Sequence, residues 1–182
     1  LHHVVQLLRP RLGHGSDVGG RRTPWAVGGM AVLALGGIGA ALARALAARG
    51  ASLVLSGRNV AALETVAKDC PDTLLLPFEA TDFAAVPALA ERAWQWKGRI
   101  DGLVNNAGIS QRSLAVDTAF PVYEKLIAVD LLAPIALTQA VLPRMVAAGG
   151  GRIVAISSVA GFVGVPLRSA YSAAKHGLVG YH

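Results

Sequence analysis

Cysteine is nearly absent: Cys70 is the only one in 182 residues. An internal disulfide and a paired-thiol metal site are thereby excluded, and a single thiol fits a reducing cytoplasm. Aromatic residues are scarce at 5%, and charged residues make up only 15%. No run of Lys or Arg is interleaved with aromatics, so the formal charge of +6 does not point to a nucleic-acid partner. Much of that charge sits in the first 22 residues, where Arg9, Arg11, Arg21 and Arg22 face one acid, Asp17. What is plentiful is small apolar residues: the chain is 53% hydrophobic and holds 21 glycines. Such a mix suits short buried strands packed closely by helices, an α/β domain.

Residues 26–43 carry no charge at all and follow Arg21 and Arg22, as a signal anchor would. Five glycines interrupt this stretch (Gly28, Gly29, Gly36, Gly37 and Gly39), and Arg44 comes immediately after it. A buried strand, a glycine turn and the start of a helix account for it without a membrane; an anchored form spanning here is the alternative.

Residues 1–24 mix His, Arg, Gly and Pro10 without periodicity, and read as an unstructured tail ahead of one domain over 25–182. From Trp25 an alternation begins. An apolar run to Ala34 leads to a helix over 38–48 closed by Gly50, then to a strand over 52–56. A helix over 59–68, N-capped by Asn59, precedes a strand over 73–76. A helix over 83–96, a strand over 102–105, a helical region over 121–148, a strand over 152–157 and a last helix from Ser169 complete the chain. Five strands alternating with helices predict a doubly wound, Rossmann-like parallel sheet of order 3-2-1-4-5, with ligands at the carboxyl ends of the strands.

The first predicted strand feeds a turn containing Gly37, Ile38 and Gly39, where bare backbone at a helix N-terminus can approach a pyrophosphate. Tight strand–helix packing without a ligand reads the same way. The second strand ends in Ser56-Gly57-Arg58. An acid there would accept from the 2′-hydroxyl of NAD, whereas Arg58 offers a forked cation to the 2′-phosphate of NADP, so NADP(H) is favoured over NAD(H). An exposed helix-start residue is the plain alternative for Arg58. Further on, Tyr171 and Lys175 stand four apart on one helix face, with about 6 Å of rise between them. A tyrosine needs an adjacent ammonium to exchange protons near neutrality, and Lys175 supplies one. Ser158, just after the fifth strand, offers a hydroxyl to hold a substrate oxygen beside Tyr171.

Asn105-Asn106-Ala107-Gly108 after the fourth strand, Ser158 thirteen residues before Tyr171, and Tyr171-Ser172-Ala173-Ala174-Lys175 together resemble the short-chain dehydrogenase/reductase family from about Gly36 to His182. The resemblance implies an oxidoreductase moving hydride between NADP(H) and a small alcohol or carbonyl substrate. Tyr171 would be the general acid/base, Lys175 its pKa-lowering partner and a ligand of the nicotinamide ribose, and Ser158 the residue positioning the substrate oxygen. Asn106, Ala107 and Gly108 would line the cofactor, although Asn105 and Asn106 also suit turn closure. A homo-oligomer of the full-length parent, paired through the helix over 121–148 and the last helix, is implied as well.

Four departures bear on that resemblance. Val32 and Leu33 stand where the family places Thr-Gly in the glycine turn. Glu79-Ala80 replaces an Asp and a small apolar residue near the adenine, where the longer Glu79 carboxylate can still reach the cofactor. Asp130 replaces the family's fourth catalytic residue, an Asn, where a buried carboxylate beside Lys175 can preserve a water-mediated proton relay while altering the charge felt by Tyr171; a plain helix carboxylate is the alternative. Finally, the family continues well beyond Lys175 through further strands and a substrate-closing loop. Without them the edge beyond the fifth strand is expected to be open, and the 182-residue chain is expected to be a fragment, unstable or inactive alone. A non-catalytic nucleotide-binding relative is the rival reading, favoured by Val32, Leu33 and Asp130.

Overall fold

The computed structural model describes residues 5–7, 28–32 and 37–182, with side chains described from residue 37 onward. The strand Ser52–Gly57 (β3) shows why the sheet is covered on both faces. Leu53 and Leu55 point into one apolar cluster with Ala43, Leu63, Val66 and Cys70, while Val54 between them points into another with Leu76, Leu89, Leu103, Leu137 and Met145. Side chains alternate across a strand, so three consecutive apolar residues can all be buried only if helices lie on both sides.

The remaining strands are Val5–Leu7 (β1), Gly28–Val32 (β2), Thr73–Pro77 (β4), Gly102–Asn105 (β5) and Arg152–Ile156 (β6). The helices are Gly37–Ala47 (α1), Val60–Ala67 (α2), Val86–Lys97 (α3), Phe120–Ile127 (α4), Ala133–Ala147 (α5) and Ser169–Tyr181 (α6). The sheet order is β1-β6-β5-β2-β3-β4, and all pairings from β6 to β4 are parallel. The order 3-2-1-4-5 expected for the five parallel strands therefore holds. Val32 pairs with Ser56 on one side and Asn105 on the other, so the strand ends of β3, β2 and β5 are level where the winding direction reverses.

Local signals fixed several boundaries. Asn59 caps α2, its Oδ1 accepting from the Ala62 N–H at 3.0 Å. Gly98 ends α3 in the left-handed conformation at φ 75°, which glycine adopts without steric cost. Other expectations are corrected. The helix expected from residue 83 starts as a 3-10 turn, Phe83–Ala85, set by Asp82, whose side chain accepts from the Ala85 N–H. The helical region expected over 121–148 is not uniformly α: Ala128–Leu132 forms a π turn, in which the Ala133 N–H reaches back to the Ala128 carbonyl. Pro134 follows directly and has no N–H to give the Asp130 carbonyl four residues earlier, which favours the wider turn there.

Residues 5–7, placed by the sequence in an unstructured tail, run antiparallel along β6 with Gln6 opposite Ala155. Thus the edge expected to be open beyond the fifth parallel strand is paired over this length, because unpaired backbone groups of a sheet edge bind any extended segment within reach. The rest of the tail lies outside the described residues. The uncharged stretch 26–43 is no continuous span, since Gly28–Val32 is the sheet's central strand and Gly37 begins a helix. The continuous helical run Phe120–Ala147, in contrast, is long and apolar enough to cross a membrane by length and composition. Its buried residues Leu126, Val129, Leu137, Val141 and Met145 help form the protein interior, as a core helix would.

Ser157, Gly161 and the body of α6 meet closely. A Cβ on Gly161 would lie 2.8 Å from the Lys175 carbonyl and 2.8 Å from Ser157 Oγ, whereas one on Gly164 would meet nothing within 4 Å. Gly161→Ala is therefore expected to lower stability by about 1–3 kcal/mol, the usual cost of overpacking. Gly164→Ala should leave stability within about 0.5 kcal/mol, and urea unfolding of the two variants beside the unchanged chain checks both.

Candidate active site

Lys175 is carried by α6 into the interior, where its side chain is 4% exposed. A buried ammonium needs partners, and two are provided. The Ile156 carbonyl, at the end of β6, accepts from Nζ at 3.2 Å. Asp130, in the π turn and fully buried, sets Oδ2 at 3.4 Å from the same nitrogen. The other carboxylate oxygen, Oδ1, accepts from the Ile109 N–H at 2.8 Å, which ties the π turn to the backbone after β5. Burial pushes the Asp130 carboxyl above its ordinary range, while the Lys175 charge and the Ile109 N–H pull it down. Oδ2 has no partner of hydrogen-bond geometry among the described residues, so its tie to Lys175 is a charge contact.

Tyr171 lies one turn before Lys175, and Nζ sits 5.7 Å from the centre of its ring. Its position is set from outside α6. Arg168 at the helix start provides no side-chain cap, and the N–H of Tyr171 in the first turn instead donates to Gln111 Oε1 at 3.2 Å. Gln111 Nε2 approaches Ser169 Oγ at 3.4 Å, and Tyr123 OH meets the same oxygen at 2.9 Å. The loop entering α6 is held by Leu167, whose carbonyl accepts from the Ser113 N–H at 3.1 Å while its φ of 64° lies in the left-handed region. Leucine is rarely found there, and the surrounding bonds offset the cost. The contacts of Gln111 and Tyr123 with the start of α6 carry no sequence signal, because they cross 60 and 46 positions of chain.

Ser158 begins the 3-10 turn Val159–Gly161 after β6, and its Oγ accepts from the Ala160 N–H at 3.2 Å. As acceptor there, the hydroxyl keeps its own proton to give. Gly108 faces the ion pair: a Cβ on it would come within 3.2 Å of Asp130 Oδ2 and 3.5 Å of Lys175 Nζ. Asn105 is buried, and its Nδ2 donates to Thr138 Oγ1 at 3.1 Å, fastening β5 to α5. Asn106 and Ala107 follow, both half-buried. Residues from β5, the π turn, β6 and α6 thus converge on one ammonium.

At the other end of the reversal point, Arg58 and Glu79 follow the ends of β3 and β4. Nε and Oε2 are 3.6 Å apart, and both side chains are largely exposed. Gly37, Ile38 and Gly39 form the first turn of α1, and among the described residues nothing lies within 4 Å of where a Cβ of Gly37 would stand. Ile38 is exposed and Gly39 is buried. Leu33 lies outside the described residues, as does the turn from 33 to 36. Among the described residues, a glycine-bearing helix start and an exposed guanidinium after β3 are groups that could hold a dinucleotide at the carboxyl ends of the strands.

Comparison with known proteins gives the family and the fold. The sequence model of the family described as short chain dehydrogenase matches residues 31–182. The chain is 42% identical to human dehydrogenase/reductase SDR family member 7, over 98% of this chain and 58% of that protein. It is 41% identical to mouse dehydrogenase/reductase SDR family member 7B, over 79% of this chain and 47% of that one. The chain therefore spans about half the length of the curated relatives it matches. The crystal structure of a metagenomic short-chain oxidoreductase in complex with NADP superposes with a TM-score of 0.80 at 37% identity, covering 85% of this chain and 73% of its own. A short-chain dehydrogenase from Streptomyces avermitilis gives 0.80 at 31% identity, over 84% and 57%. By sequence over most of its length and by fold, the chain belongs to the short-chain dehydrogenase family of oxidoreductases.

Proposed function

We propose that this chain carries the nucleotide-binding and catalytic residues of an NADP(H)-dependent oxidoreductase that interconverts a small alcohol and its carbonyl. The observation that carries the reading is the buried Lys175 ammonium, anchored by the Ile156 carbonyl at 3.2 Å and set 5.7 Å from the Tyr171 ring. A phenol titrating near pH 10 in water gains the use of its proton near neutrality when a fixed positive charge favours the phenolate. Tyr171 then gives its proton to the substrate oxygen during reduction and takes it back during oxidation. Ser158 donates its free proton to the same oxygen and holds it in line with Tyr171. NADPH, when bound, supplies the hydride that reaches the carbonyl carbon.

The remaining residues hold and align. Gly37, Ile38 and Gly39 present the first turn of α1 to the pyrophosphate. Arg58 pairs with the 2′-phosphate, and Glu79 stands at the adenine side. Asn106, Ala107 and Gly108 line the nicotinamide half, where Lys175 also reaches the ribose. Asp130 acts through Lys175, and is a positioning residue. The rival reading, a nucleotide-binding relative without turnover, rests on the carboxylate of Asp130 drawing on the charge that Tyr171 needs.

Two outcomes follow. Tyr171→Phe is expected to cut NADPH-dependent carbonyl reduction by about 100-fold or more while leaving NADPH binding intact, read from initial rates and from nucleotide fluorescence. Turnover unaffected by the substitution would remove Tyr171 from the chemistry, and NADPH binding with no turnover in a chain extended to the length of its relatives would favour the rival. Arg58→Ala is expected to weaken NADPH about tenfold or more and NADH little. NADH binding as tight as NADPH in the unchanged chain would end the assignment of Arg58.

A further inference from the structure

Lys175 is shared. Its ammonium serves the Tyr171 ring on one side and faces a carboxylate on the other, with both partners held by separate parts of the fold. Among the described residues, the charged or titratable groups around this point can be followed element by element. From α6 come Lys175, Tyr171 and His176, whose Nδ1 is engaged at 2.8 Å with the Ser172 carbonyl. From α4 come Glu124 and Lys125, at exposed positions, and Tyr123, bound to Ser169. From the loops beside α6 come Arg112, exposed, and Arg168, tied to Ser110. The backbone turn from Asn105 to Ile109 and the end of β6 bring no ionisable side chain. Asp130 is thus the acid against Lys175.

Resting on the reading of Tyr171 and Lys175 given above, we propose that Asp130 is a charge-compensating positioning residue. Clamped through Oδ1 to the Ile109 N–H, it partly neutralises Lys175 through Oδ2 and sets the working pH of Tyr171 higher than a neutral side chain of the same shape would. The clamp is what makes the effect durable. A free carboxylate 3.4 Å from an ammonium could turn away on losing its charge, but the 2.8 Å bond to Ile109 and full burial hold this one in place. In a water-poor interior, one unit of negative charge at this distance changes a neighbour's protonation balance far more than it would at the surface. On the Gly108 side there is little room to relieve the contact, since a single Cβ there would already lie 3.2 Å from Asp130 Oδ2.

The test replaces charge and keeps shape. In a chain carrying Tyr123→Phe and Tyr181→Phe, Tyr171 is the one tyrosine, and its phenolate absorbance is followed against pH with and without Asp130→Asn. The midpoint is expected to fall by about one unit or more in the Asn variant. An unchanged or higher midpoint overturns the proposal. Where Asp130→Asn loses helical circular dichroism, Asp130→Ala is measured, and the same fall is required. Absorbance does not depend on turnover, so the two readings separate. A fallen midpoint with turnover indifferent to Tyr171→Phe upholds the electrostatic link and removes the catalytic role; an unchanged midpoint with turnover lost in Tyr171→Phe does the reverse.

The same substitution has a stability readout whose sign is fixed by burial. The folded chain holds the Asp130 proton more tightly than the unfolded chain, because burial raises that carboxyl. The corresponding stabilisation is full below the ordinary carboxylate range and is lost as pH rises through the folded titration. Urea unfolding against pH is expected to show this fall in the unchanged chain and a flatter profile in Asp130→Asn. A fall of equal size in both would overturn the placing of a buried charge at Asp130.

Discussion

Everything at the candidate site depends on keeping one ammonium out of water. Lys175 is 4% exposed, and a lysine so placed must find its partners in the fold or give up its charge. Its partners come from regions far apart in sequence: the carbonyl ending β6 and the carboxylate of the π turn. The Ile109 N–H then ties that carboxylate to the chain after β5. Parallel pairing of β5 with β6 sets these two strand ends at one level. The sheet is thus more than a scaffold for the site. Its register decides whether the backbone acceptor and the carboxylate clamp meet at the same point.

The same requirement explains the helix between β5 and β6. An uninterrupted α-helix from Phe120 to Ala147 would satisfy its own backbone and give no reason for a wider turn. Instead Pro134 withholds the N–H due to Asp130, and the chain widens into a π turn at Ala128–Leu132. Such turns add a residue to one loop of the helix and re-aim what it carries, which is why they gather at functional sites. Here the re-aimed residue is Asp130. Leu131 beside it occupies the space against Gly177 of α6, where an added Cβ would lie 2.8 Å from Leu131 Cδ2. The bulge and α6 are therefore packed as a pair, and the acid and the lysine are carried by surfaces that fit each other.

Legibility of the sequence followed the range of the forces involved. Asn59 as a cap, Gly98 as a stop and the continuous apolar runs of β3 are local, and the elements they imply were readable from the chain. The doubly wound order followed from the alternation of strand and helix, since right-handed crossovers leave few other arrangements. Tyr171, Lys175 and Ser158 stand out as candidates because their types and spacings are unusual together. Gln111 and Tyr123 do not, because a cap supplied from another loop leaves no periodic trace. The pairing of Val5–Leu7 with β6 was missed for a related reason: three residues are too short to show alternation, and an edge recruits them by backbone alone.

The nucleotide end is built on a different physical principle, and the contrast with Lys175 is instructive. Arg58 and Glu79 are separated by 3.6 Å, but their side chains are 62% and 45% exposed. Water and salt screen a pair like that, and such bridges contribute about 0–1 kcal/mol. A weak pair is easily exchanged. On the proposed reading, a 2′-phosphate brings more charge than the Glu79 carboxylate and suits the forked geometry of a guanidinium, so Arg58 can leave one partner for the other at little cost. Until then Glu79 keeps the guanidinium near the end of β3 instead of ranging through solvent. The buried pair fixes a charge where, on the proposed reading, protons are exchanged. The exposed pair holds its charge loosely, as a site that accepts and releases a ligand would on the proposed reading, and the two ends of the strand row differ in burial accordingly.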